Sequence, residues 1–185
     1  MGELKFIKSP EGRFNLLKIW DSTQVNNQSV YSFSLQLLFE PSQDLTAFIS
    51  EIYEQKKVAL DRVSKLIKPE MFSDWRHYDF LKFNDGFNLF ASTTDDSKKV
   101  FFDRKHLPAP CVYVEKGETV SELKRGNPVD EAMLFDGCKG KISFAIFAWV
   151  HKSSRVWGYR AELQNVFKTA DGIKSEDINN KQTGE

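Results

Sequence analysis

The stretch KGKISFAIFAWVHKSSRVWGYRAELQNVFK, residues 139–168, decides the fold of this chain. Its first half alternates between two sides with a period of two, as a β-strand with one face in a core does. One side carries Ile142, Phe144, Ile146, Ala148 and Val150. The other side carries Lys141, Ser143, Ala145, Phe147, Trp149 and His151. The polar residues 153–155 predict a turn, so we expect residues 157–168 to return as an antiparallel strand.

The same region is free of acidic residues from Gly137 to Ala161, although the chain contains 26 acidic and 26 basic residues. Cations attract phosphate groups, and aromatic rings stack on unpaired bases of any sequence. The hairpin is therefore predicted to bind nucleic acid. The residues expected to contact phosphates here are Lys139, Lys141, Lys152, Arg155 and Arg160.

The alternation divides the aromatic residues of this hairpin between two roles. Phe144 lies on the aliphatic side, which is the natural core face, whereas Phe147 and Trp149 lie opposite and are the main candidates for stacking on bases. Tyr113 and Trp157 are weaker candidates. The alternative for Phe147 and Trp149 is a second core layer beneath a helix or a loop.

A second basic and aromatic segment, KKVFFDRKH, occupies residues 98–106. Phe102 is predicted to stack on bases, and Arg104 and Lys105 to contact phosphates. The alternative is a solvated edge strand, because natural sheets protect their edges with lysine; this interpretation suits Lys98 and Lys99 best.

The rest of the chain predicts further strands and one helix. Residues 4–8 and 13–20 form a bent or broken first strand, and residues 30–39 alternate as a second strand. Apolar residues at three- and four-residue steps predict an amphipathic helix from about Ser42 or Asp44 to Lys68, between Pro41 and Pro69. Strands are predicted at 87–93, 98–102 and 111–115. Residues 70–86 are predicted to form a loop with short helical or extended pieces, and residues 116–135 a surface excursion.

These elements predict a mainly β protein with about five core strands around one core and one amphipathic helix inserted after the second strand. A small β-barrel and an α+β sandwich both satisfy this order. We expect residues 1–172 to form one domain and the polar residues 173–185 to form a disordered tail.

Composition and motifs argue against several function classes. The formal net charge is zero, so a nucleic-acid partner must be held by local patches. The two cysteines, Cys111 and Cys138, form no CxxC pair, and the histidines show no metal-binding spacing. No nucleophile-elbow, phosphate-loop or dinucleotide-binding motif occurs. We therefore expect no catalytic residues, no metal and no cofactor. The sequence contains no membrane-spanning apolar run and no signal-peptide core, which predicts a cytoplasmic location.

Two segments carry a resemblance to a known family: YSFSLQLLFEP, residues 31–41, before the helix, and DGCKGKISFAIFAWVHKSSRVWGYRAELQNVFKTADG, residues 136–172. The chain resembles phage single-stranded DNA-binding proteins with a podovirus-type OB-fold. The match spans about residues 30–70 and 87–172, and segment 116–135 has no counterpart. The positions that match the family pattern are Gly137, Phe144 to Trp149, Gly158, Leu163, Val166 and Gly172.

The resemblance implies an OB-fold barrel that coats unwound DNA during phage replication or recombination in the host cytoplasm. Its partner would be single-stranded DNA, and phage or host replication proteins could be further partners. No membrane partner is implied, and the protein could form a homo-oligomer. Relatives often end in a strongly acidic tail, whereas the last 13 residues here contain three acids and two bases. Recruitment of partners through the tail therefore stays open.

Two rival functions remain from the sequence alone. A phage structural or protein-interaction β-barrel without nucleic-acid binding could use the acid-free window to meet an acidic partner. A nuclease or other enzyme acting on DNA is the third candidate, although no motif points to it.

Overall fold

The computed structural model describes residues 5–24, 31–40, 42–64, 74–79, 88–95 and 109–172. Within these residues the protein is mainly β, with nine strands in one sheet and two helices. The strands are β1 (Ile7–Lys8), β2 (Gly12–Gln24), β3 (Tyr31–Leu38), β4 (Arg76–Asp79), β5 (Asn88–Asp95), β6 (Cys111–Lys116), β7 (Thr119–Leu123), β8 (Lys139–His151) and β9 (Val156–Ala170). The helices are α1 (Thr46–Ser64) and α2 (Pro128–Ala132).

The strand pairings run from β2 through β3, β5, β9 and β8 and return to β2. Two joints in this circuit are short. The β5–β9 joint is the parallel pair Ser92↔Glu162, and the β2–β8 joint consists of Gly12↔Gly140 and Arg13↔Lys139. The sheet is therefore strongly curved without being a completely closed barrel. The prediction of a mainly β fold with a helix after the second long strand is confirmed at this coarser level.

The first long strand, β2, changes face at a bulge. Phe14 and Ile19 are both buried although they are five residues apart, which a regular strand would place on opposite faces. The register against β3 slips by one residue between Asn15 and Lys18, and Leu16 there has a left-handed φ of 50°. An extra residue in one strand switches the side on which the following side chains point. Both apolar residues therefore reach the core.

The β8–β9 hairpin is the longest pairing of the sheet, and it confirms the predicted antiparallel hairpin. Ile142, Phe144 and Ile146 are fully buried, as the alternation predicts, whereas Val150 is half-buried. A bulge in β9 lies between the pairs Ser143↔Asn165 and Phe144↔Leu163, so that Leu163 and Val166 both enter the core.

The other edge of β9 is paired in turn with three strands that run parallel to it. β4 pairs with residues 156–159, β5 pairs at Glu162, and β6 pairs with residues 165–168. Strand β9 therefore connects elements from most of the chain, and it brings β4 and β6 to the two ends of the hairpin.

Helix α1 packs against β8 and the end of β3. The Phe48 ring contacts Phe39 and Phe144 edge-on, with centroid distances of 5.8 and 6.2 Å. Asp44 caps the helix, because its carboxylate accepts a hydrogen bond from the backbone N–H of Thr46 at 3.0 Å. Phe48 and Ile52 are buried, which confirms this part of the predicted apolar stripe of the helix.

The excursion after β6 contains more structure than the sequence predicts. β7 forms a hairpin with β6 around Gly117, whose φ is 61°, and the short helix α2 follows. Arg125 holds the excursion against β2, because its guanidinium donates to the backbone oxygens of Ile19 and Trp20. The Trp20 indole donates in return to the carbonyl of Glu131 at 3.0 Å. The prediction of a single helix is therefore wrong, because the short helix α2 is also present.

Several predicted features lie outside the described residues. They are the strand at 98–102, the C-terminal end of the predicted helix, and the tail at 173–185. Among the described residues, no helix is both long and apolar enough to cross a membrane.

Candidate nucleic-acid interface

One face of the β8–β9 hairpin points away from the buried Ile142, Phe144 and Ile146 side chains, and we call it the outer hairpin face. The register of the hairpin defines this face, because residues that pair directly across two strands lie on the same side of the sheet. Its cross-strand pairs are Lys141↔Phe167, Ser143↔Asn165, Ala145↔Glu162, Phe147↔Arg160 and Trp149↔Gly158. The predicted Lys141, Phe147, Trp149 and Arg160 are thereby brought together on one surface.

The end of the face near the turn carries an aromatic cluster. The guanidinium of Arg160 lies 5.4 Å from the centre of the Phe147 ring. The Tyr78 ring lies on Trp149 with a centroid distance of 6.3 Å and an interplanar angle of 25°. Tyr78 is supplied by β4, whose pairing Tyr78↔Gly158 sets it beside Trp149. Phe147 and Trp149 are themselves half-buried.

The other end of the face carries a second aromatic stack. The rings of Tyr113 and Phe167 are nearly parallel, with 5.4 Å between centroids and an angle of 19°. The ammonium group of Lys8 lies 4.1 Å from the centre of the Phe167 ring, and Lys141 pairs with Phe167 across the hairpin. Tyr113 therefore lies at the opposite end of the outer hairpin face from Trp149.

Two carboxylates reduce the positive charge of this face. Glu115 pairs with Lys8 at 2.7 Å, and Glu162 pairs with Arg160 at 3.3 Å. Glu162 is the first acid after the acid-free window, and the fold turns it onto the same face as the cations. The charge of this part of the face is thus a mixture of three cations, Lys8, Lys141 and Arg160, and two carboxylates, Glu115 and Glu162.

The turn that joins β8 to β9 presents further cations. Lys152 and Arg155 are both exposed, and Arg155 has a left-handed φ of 52°. The backbone N–H of Arg76 donates to the carbonyl of Arg155 at 3.0 Å, which ties β4 to the turn. The imidazole Nδ1 of His151 is hydrogen-bonded to the hydroxyls of Ser153 and Ser154.

Not all predicted residues share this surface. Trp157 pairs with Val150 and lies on the opposite face, where its ring is 4.0 Å from His77 and packs against the core. Lys139 stands at the end of β8 farthest from the turn, in a cavity of about 170 Å³ that Glu11 and Glu40 also line. Phe102, Arg104 and Lys105 lie outside the described residues.

The structure adds residues to the outer hairpin face that sequence reasoning missed. Phe167 could have been found, because antiparallel pairing of the predicted strands sets it opposite Lys141 or a neighbour. Lys8 and Tyr78 could not, because β1 and β4 are two and four residues long and carry no readable period.

Two pKa shifts describe the aromatic ends of the face. A hydrogen bond to Cys111 raises the pKa of the Tyr113 phenol above its ordinary value of 10.0. A hydrogen bond to Tyr78 raises the pKa of the Arg76 guanidinium, which places that cation beside the Tyr78 hydroxyl.

In the described part of the chain, no group of three or more His, Cys, Asp and Glu side chains could hold a metal ion. The buried thiol of Cys138 has a raised pKa because burial disfavours the thiolate.

The fold is similar to those of solved phage proteins. The single-stranded DNA-binding protein from bacteriophage Enc34, in complex with single-stranded DNA, is 18% identical and has a TM-score of 0.64; the alignment covers 92% of this chain and 89% of that one. The single-stranded DNA-binding protein gp2.5 of bacteriophage T7 is 12% identical with a TM-score of 0.64, covering 97% and 95%. This chain shares their fold.

The sequence comparisons add no closer likeness. No protein-family model matches the chain. No curated protein matches it by sequence.

Proposed function

We propose that this protein binds single-stranded DNA without sequence preference and coats unwound DNA during phage DNA replication or recombination in the host cytoplasm. The observation that carries the proposal is the outer hairpin face, where two aromatic stacks are accompanied by Lys8, Lys141, Arg160 and Arg76. Proteins that bind single strands combine a cationic path for the backbone with aromatic rings for the bases. We propose no catalytic step for this surface.

The spacing of the two stacks suits a bound strand. Eight residues of β8 separate Lys141 from Trp149, and a strand rises about 3.3 Å per residue, so the stacks lie roughly 25 Å apart. Single-strand-binding OB-folds cover about 4–16 nucleotides. An oligonucleotide in the upper part of this range is long enough to reach both stacks.

The fold supports the proposal independently of these contacts. We propose that the circuit β2–β3–β5–β9–β8 is an OB-type barrel with two short joints, and that residues 1–172 form this domain. A phage protein with the same fold has been solved with single-stranded DNA bound to it. Phage or host replication proteins are proposed as further partners.

The proposal is tested by the affinity for a fluorescent oligo-dT at several salt concentrations. Log affinity is expected to fall linearly with log salt, with a slope of about −0.7 for each phosphate that is neutralised. Replacing Lys141 by Ala should make the slope shallower by about 0.7. Lys57→Ala is the matched control, because Lys57 lies on α1 and pairs with Glu54 away from the outer hairpin face.

Two results would count against this function. One is the absence of any mobility shift of oligo-dT at low salt, which would favour a protein-interaction role. The other is equal affinity for single-stranded and duplex DNA, because paired bases cannot stack on the aromatic residues.

A further inference from the structure

Tyr78 is held beside Trp149 by a close approach of two backbones. β4 runs parallel to β9, and Tyr78 pairs with Gly158. A Cβ at position 158 would clash with the Tyr78 carbonyl oxygen and would lie 3.1 Å from the Trp149 indole. Glycine is thus needed here for β4 to dock and for the two rings to meet.

The two rings differ in how much surface they present to solvent. Tyr78 is 43% exposed, whereas Trp149 is half-buried on the hairpin. The interplanar angle of 25° makes the pair an offset stack rather than an edge contact. Tyr78 is therefore the more exposed ring of the pair, and it stacks against the half-buried Trp149.

A cation accompanies this ring on the same strand. Arg76 lies two residues before Tyr78, and side chains two residues apart in a strand point to the same side. Its guanidinium interacts with Tyr78 closely enough to raise the pKa of Arg76, and its backbone N–H donates to the carbonyl of Arg155 in the turn at 3.0 Å. A nucleotide has a flat base and a charged phosphate, so it can contact the ring and the guanidinium together.

We propose that Tyr78 is the outer surface on which one unpaired base stacks, with Trp149 supporting the ring and Arg76 binding a neighbouring phosphate. This assignment rests on the proposed function and adds β4 to the DNA-binding surface. It also reverses the order of importance that the sequence suggests, since Trp149 then acts mainly through Tyr78.

The test compares oligo-dT affinities of Tyr78→Ala, Tyr78→Leu and Tyr78→Phe with that of the unchanged protein. Loss of one base–aromatic stack corresponds to a decrease of about 5- to 150-fold in affinity. Tyr78→Ala and Tyr78→Leu should show this loss, and Tyr78→Phe should bind nearly as the unchanged protein does. Leucine keeps an apolar contact with Trp149, so it serves if the alanine variant does not fold.

The matched control is Tyr53→Ala. Tyr53 is a 58% exposed tyrosine on α1 whose ring lies 5.5 Å from the ammonium of Lys56, away from the outer hairpin face. Its removal should leave the affinity unchanged. A second readout uses an oligonucleotide of abasic sugar phosphates, to which the unchanged protein and Tyr78→Leu should bind equally.

The failure of this assignment is distinguishable from the failure of the proposed function. If the unchanged protein binds oligo-dT and folded Tyr78→Leu binds it within twofold, the stacking role of Tyr78 is wrong and DNA binding stands. If the unchanged protein does not bind oligo-dT at low salt, the proposed function is wrong as well. A loss that is equally large on abasic DNA would also overturn base stacking.

Discussion

Glu162 lies among the cations of the outer hairpin face and limits what Arg160 can do there. Its carboxylate is 3.3 Å from the Arg160 guanidinium and also accepts a hydrogen bond from the Gln164 amide at 3.2 Å. The Glu162 residue is only 6% exposed, whereas the Arg160 side chain is half exposed. Under the proposed function, a phosphate would compete with this carboxylate for Arg160, and the carboxylate would lower the affinity for a polyanion.

Replacing Glu162 by Gln is expected to tighten oligo-dT binding at low salt. Partly exposed ion pairs contribute about 0.2–1 kcal/mol, so a gain of roughly 1.5- to 5-fold in affinity follows if Arg160 is released to a phosphate. Fluorescence anisotropy at 50 and 200 mM salt measures the change. Glu122→Gln is the control, because Glu122 pairs with Lys124 on β7. Unchanged or weaker binding by the Glu162 variant would contradict a phosphate contact at Arg160.

At the scale of elements, α1 depends on a cap that titrates. The Thr46 hydroxyl and backbone N–H both donate to Asp44, and these bonds lower the pKa of its carboxyl below the ordinary 3.8. A lowered pKa in the folded state means that the ionised cap stabilises the protein above pH 3.8. The contribution is lost as the pH falls through the lowered value.

Asp44→Ala should lower the melting temperature at pH 7 and reduce its dependence on pH between 5 and 3. Asp44→Asn is the matched variant, since asparagine caps a helix without a charge. It should retain most of the melting temperature at pH 7 while losing the same acid dependence. Thermal denaturation followed by circular dichroism measures both; identical pH profiles for all three proteins would rule out the cap as the titrating group.

Helices and strands in which apolar residues recur at a regular spacing could be predicted from the sequence, and short strands could not. Residues 33–37 alternate between buried and half-buried, because one face of β3 meets the core. Residues 142–146 alternate in sequence, although Ser143 and Ala145 on the second face of β8 are buried as well. β4 and β7 carry no such signal, since tertiary pairing and not a local pattern holds them in the sheet. The candidate site follows the same division: Phe147 and Trp149 could be predicted as surface candidates, whereas Tyr78 depends on a parallel pairing with distant Gly158.

At the scale of the whole molecule, binding and folding are coupled, because a ligand that binds only the folded state stabilises it. At an oligo-dT concentration of 100 times Kd, the stabilisation is about 2.7 kcal/mol, or roughly 5–10 °C in melting temperature for a chain of this size. Thermal denaturation with and without oligo-dT measures the shift. Duplex DNA of equal phosphate concentration should produce a much smaller one; equal shifts would indicate phosphate binding alone.

The position of β9 near the C-terminal end of the described chain has a consequence during synthesis. β4, β5 and β6 are all made before β9, yet each pairs with it, so their edges lack this partner until residues 156–168 have left the ribosome. Unpaired edges in incomplete chains promote aggregation. Nascent chains halted before Val156 should therefore stay protease-sensitive and bind chaperones, and release of β9 should mark the moment at which the domain becomes compact.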